Sequence, residues 1–171
     1  VTGLLLPQTL TDSDDDYVEE LRGYLYPKLH PHLVKYTPAY AIGGVGPNQY
    51  AGKVRVDEET LEEELVELGF VRNPLACYKS TGDGRQSEGS WVLIAERDEY
   101  GVLDGEHRQL HVTLFQRRDG ATGREIYAHV EDDWRDRPMA HLRGKAFSAQ
   151  KGVADVQTVL NDHSYITLED A

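Results

Sequence analysis

Residues 108–132 read RQLHVTLFQRRDGATGREIYAHVED, and this stretch decides the fold. Two runs of alternating apolar and polar residues flank Asp119-Gly120-Ala121-Thr122-Gly123, a composition suited to chain reversal. The stretch therefore reads as an antiparallel hairpin. With the turn centred on Ala121, His111 sits across from Glu131 and Thr113 across from His129. Leu110, Val112 and Leu114 then share one face with Ile126, Ala128 and Val130. A slip of one residue would scatter that apolar set, which is why the alternation fixes the faces.

The opposite face collects Gln109, His111, Thr113, Phe115, Tyr127, His129 and Glu131. In this register the two imidazoles are diagonal neighbours, roughly 7–8 Å apart along the backbone and within reach of one ligand. Neutral imidazoles beside a carboxylate are the donor set of a divalent metal such as zinc or manganese, so His111, His129 and Glu131 are candidate metal ligands. The same residues are candidate catalytic groups, one histidine as general base and the other as general acid on a phosphoester, with Thr113 donating to a phosphate oxygen. Phe115 and Tyr127 add aromatic lining, and Trp134 and His141 follow closely enough to join them as ligand-binding residues. The plainer alternative is an ordinary solvated sheet face. His111-Val112-Thr113-Leu114 is similar to half the signature of the two-histidine phosphoesterases. That family places two His-x-Thr motifs on separate lobes facing across a cleft, and this chain has no second one.

Outward from the hairpin, Asp57 is placed to cap a helix whose Leu61, Leu65 and Leu68 form a stripe, with Glu62, Glu63 and Glu67 on the wet side. Gly69 closes that helix. Strands are expected over 53–56, 70–72, 75–78 and 91–95, with a mobile polar loop over 80–90. Further strands are expected over 141–147 and 165–168, and Ser148 caps a helix carrying Val153, Val156, Val159 and Leu160. Upstream, Ser13 starts a helix limited by Pro27, and Ala39 to Ile42 reads as a short strand. Residues 1–12 read as an extended lead-in to a single domain over 13–171. The order implies an α+β fold: a mostly antiparallel sheet with about three helices packed on one face.

Composition narrows the partners. The 171 residues carry 30 acidic side chains against 18 Lys and Arg, a formal net charge of −12. That balance excludes a generic phosphate-backbone binder and argues against anionic lipid. Acid spread along the chain, few lysines and few large apolar residues point to adaptation to molar salt. Cys77 is the only cysteine, so neither an internal disulfide nor a cysteine-based zinc site is available. The run Leu4-Leu5-Leu6 is too short for a membrane span or a signal core, and a cytoplasmic protein is expected. Two functions follow as expectations. The first is a binding or assembly module that uses the histidine face to take a small ligand or to self-associate. The second is a histidine- or metal-dependent hydrolase.

Overall fold

Alternation of side chains over 108–132 produces the expected hairpin, with β4 spanning Arg108–Gln116 and β5 spanning Arg124–Asp132. A computed structural model describes residues 44–73 and 79–169, together with Tyr24 and Lys28. The hairpin turns about Gly120, not Ala121. Gly120 and Gly123 take positive φ values of 70° and 116°, and Asp119 Oδ1 accepts from the Ala121 amide at 3.0 Å. His111 consequently pairs with His129, Gln109 with Glu131 and Thr113 with Tyr127. The shift from the expected register is two residues along the strand, so both faces keep their membership.

Three further strands complete an antiparallel sheet of order β1-β5-β4-β3-β2. β1 is Tyr50–Val54, β2 is Val71–Arg72 and β3 is Gly89–Ile94. Every residue of β3 is buried, as a strand between two neighbours should be. Between β1 and β2 runs α1, Glu58–Glu67, with Asp57 accepting from the Thr60 amide at 2.9 Å. The helix ends as the sequence indicates. Gly69 has φ 85°, its amide bonds to the Val66 carbonyl, and the Phe70 amide bonds to that of Leu65. The stripe Leu61, Leu65 and Leu68 is buried, and so is Glu64.

After the hairpin come α2, Pro138–Leu142, and α3, Ala149–His163. The expected strand over 141–147 is absent. Pro138 instead starts a helical turn, and Gly144 at φ 60° ends it. Ser148 does cap α3, accepting from the Lys151 amide at 3.2 Å. The last expected strand, 165–168, reduces to one bridge between Glu169 and Lys53, with Ile166 buried and Tyr165 exposed. The polar loop over 80–90 is tied down by its own bonds. Ser80 bridges Gln86, the Thr81 amide bonds to the Arg85 carbonyl, the Ser87 amide bonds to the Lys79 carbonyl, and the Lys79 amide donates to Ser87 Oγ.

The core lies on the even-numbered face of the hairpin. Leu110, Val112, Leu114, Ile126, Ala128 and Val130 meet the α1 stripe and Val156, Val159 and Leu160 of α3. α3 crosses β5 at Gly152, where an added Cβ would lie 2.1 Å from the His129 Cα. Only glycine lets the helix come so close to the strand. α2, by contrast, brings its His141 to the Glu131 side of the sheet.

Tyr24 and Lys28 are each helical, and Tyr24 is exposed. The rest of the expected first helix, the 1–12 lead-in, the strands over 39–42 and 75–78, and Cys77 lie outside the described residues. Among the described residues, no helix is long and apolar enough to cross a membrane.

Candidate metal centre

The odd-numbered face of the hairpin is not solvated. Gln109, His111, Thr113, Phe115, Tyr127, His129 and Glu131 are all buried. The face divides into two halves. At the turn end, Phe115 and Tyr127 join Val45 and Tyr50 in a small apolar cluster with edge-on ring contacts. At the other end the face is polar, and its centre is Glu131.

Glu131 Oε1 accepts from Gln109 Nε2 at 2.7 Å and lies 3.0 Å from His111 Nδ1 and 3.4 Å from His129 Nε2. Its other oxygen, Oε2, lies 3.3 Å from His141 Nδ1, which also faces the Asp132 carbonyl at 3.0 Å. The rings of His111 and His129 stand 4.8 Å apart, and Phe147 packs on His129 at 4.9 Å. Ser90 Oγ is 2.5 Å from His111 Nε2. The contacts among Gln109, His111, His129 and Glu131 follow from strand geometry. Direct pairing sets the two imidazoles side by side, and alternation puts Glu131 two residues beyond His129 on the same face.

Electrostatics sets the protonation state. Burial pushes His111 down to about 3 and His129 to about 4, and the ammonium of buried Lys79 pushes the same way. Burial works to raise the Glu131 carboxyl, yet the imidazoles of His129 and His111 hold it well below the usual carboxylate range. At neutral pH the cluster is thus a carboxylate between neutral imidazoles, the form in which these groups coordinate a cation. Ligand atoms of His111, His129 and Glu131 all fall within 4.8 Å of one another, so the three could hold a metal ion.

Of the residues singled out in the sequence, His111, His129, Glu131 and His141 come together. Thr113 is buried and Trp134 half-buried, and no hydrogen bond among the described residues joins either to the cluster. Phe115 and Tyr127 belong to the apolar half. The second histidine, His129, lies beside the first on the same sheet, not across a cleft. Ser90, Lys79 and Phe147 are the contributors the sequence did not reveal, and non-local pairing or packing brings each of them in. Near the sheet, Arg85 and Arg72 are engaged by Glu125 at 2.9 Å and Glu62 at 3.7 Å, while Arg143 is exposed. An open cleft lies elsewhere, between the glutamates of α1 and Trp91.

Compared with known proteins, the chain matches no family model, no curated protein and no solved structure.

Proposed function

We propose that the protein is a binding module whose ligand is one divalent transition-metal ion held by His111, His129 and Glu131. The observation that carries this reading is the spacing around Glu131 Oε1, 3.0 Å to His111 Nδ1 and 3.4 Å to His129 Nε2. A tetrahedral site with bonds of about 2.0–2.1 Å has ligand atoms about 3.3 Å apart. Two imidazoles and one carboxylate favour zinc over manganese, which prefers oxygen donors. Outer contacts support the same reading. Ser90 Oγ can accept the second ring proton of His111, and Gln109 orients the carboxylate. Zinc titration of the wild type against His129→Ala tests it: binding lost in the variant is expected, and equal binding by both would remove the reading.

One contact favours hydrolysis as a second reading. Ser90, His111 and Glu131 form a line, with Oγ 2.5 Å from Nε2 and Nδ1 3.0 Å from Oε1. That is the order of nucleophile, base and orienting carboxylate. Ser90 is buried, which favours the metal reading over turnover of a bulky substrate. Labelling of Ser90 by a small fluorophosphonate in metal-free protein would support hydrolysis, and an unmodified Ser90 would dismiss it.

The acidic balance supports a setting as well: the cytoplasm of a cell that accumulates salt.

A further inference from the structure

We propose that His141 is a fourth protein ligand, so that the bound ion closes a structural site and fastens residues 133–147 to the sheet. The inference rests on the metal reading above and extends it, because three protein ligands leave an open, reactive position while four leave none.

The approach of His141 carries the argument. Its Nδ1 lies 3.3 Å from Glu131 Oε2, while the other two imidazoles approach the second oxygen of the same carboxylate, Oε1, at 3.0 and 3.4 Å. The His141 side chain is 14% exposed, whereas those of His111, His129 and Glu131 are at most 4% exposed. His141 therefore comes from the solvent side of a cluster whose other members come from the sheet. Coordination through Nδ1 exchanges its contact with the Asp132 carbonyl for the ion and leaves the proton on Nε2.

The segment that delivers His141 is rooted at both ends beside the site. At one end the Asp133 amide bonds to the His107 carbonyl at 2.8 Å. At the other, Ser148 exchanges backbone hydrogen bonds with Val130, and Phe147 packs on His129. Between those roots α2 makes one short turn, and Arg135, Arg143 and Lys145, each followed by a residue other than proline, are exposed. Arg108 of β4 also bonds to the Ala146 carbonyl at 2.7 Å, and a metal ligand in mid-segment would add a stronger tie at His141 and make those exposed bonds poor protease substrates.

The experiment combines zinc affinity with trypsin cleavage in wild type, His129→Ala, His141→Gln and His141→Cys, after circular dichroism confirms folding. Zinc is expected to protect wild type between Arg135 and Lys145. His141→Gln should lose that protection and bind zinc at least about tenfold more weakly, and His141→Cys, which restores a ligand, should recover both. Cobalt-loaded wild type should keep its visible spectrum when azide is added. If His129→Ala abolishes binding while His141→Gln keeps wild-type affinity and protection, or if azide shifts the wild-type spectrum, the fourth ligand is overturned and the metal reading stands. If wild type binds no zinc, both fall.

Discussion

His111 and His129 face each other directly across β4 and β5, with ring centroids 4.8 Å apart and both side chains buried. Two histidines held neutral in this way make the metal-free protein acid-sensitive. Above pH 6.5 they are neutral in both states and contribute no pH dependence. Below 6.5 the unfolded chain takes up protons that the folded chain refuses until about 4 for His129 and about 3 for His111. Stability therefore falls as the pH falls from 6.5 towards 4. Glu131, whose folded pKa is depressed, adds stability above the ordinary carboxylate range that is lost on further acidification. Urea midpoints at pH 7.5, 6 and 5 should drop steadily, and a flat profile would contradict neutral burial.

Glu131→Ala removes the group that His111, His129, His141 and Gln109 all approach. Loss of one partner from a buried charged network costs about 3–5 kcal/mol. Glu131→Gln keeps the volume and an acceptor, so it should destabilise less while still abolishing zinc binding. Equal zinc affinity in Glu131→Gln and wild type would take the carboxylate out of the site.

Lys79 acts on the site through its charge. Its positive charge lowers the pKa of both His111 and His129, and the same field opposes a cation. Lys79→Met should raise both imidazole pKa values, read from ring-proton shifts in NMR titration, and should tighten zinc binding. Weaker zinc binding in folded Lys79→Met would show that Lys79 supports the site instead.

Gly152→Ala tests how far the site depends on the helix behind it. The new Cβ would fall 2.1 Å from the His129 Cα and 2.5 Å from its N and C atoms, all backbone that cannot rotate away. Overpacking of this kind costs about 1–3 kcal/mol or more. A lower melting temperature and weaker zinc binding are expected together. An unchanged melting temperature would mean that α3 can lift off β5 without penalty.

Salt is the remaining variable. A chain of net charge −12 repels itself in dilute buffer, and raising KCl from about 0.1 M to about 1 M shortens the Debye length from roughly 10 Å to roughly 3 Å. The urea midpoint should rise over that range. A falling midpoint would assign the acid to specific ion pairs, such as Arg124 with Glu58 and Glu88, and not to general repulsion.

What could be read from the sequence was set by the range of the interactions concerned. The two faces of the hairpin, the Asp57 and Ser148 caps and the Gly69 helix end are local patterns, and each is found where the residues indicated. The pairing of His111 with His129 depended on which turn residue takes positive φ. Gly123 answers to a distant contact, because a Cβ there would lie 2.0 Å from the Val54 carbonyl oxygen. Residues 141–147 misled because Pro138 starts a helical turn that the following residues do not announce. Ser90 and Phe147 reach the histidines only after strand pairing and helix docking, and no spacing in the chain encodes either contact.

The place of the histidines in the strand order has a kinetic consequence. β4 is the middle strand and β5 is flanked by β1 and β4, so neither is an edge that frays first. On the proposed metal site, an ion held there would leave through the segment over 133–147 and not through the sheet. Zinc stripping by a chelator should then proceed at a rate set by how often that segment opens, independent of chelator concentration once opening is limiting. Hydrogen exchange at the amides of α2 would give the same rate, while the amides of β4 and β5 stay closed.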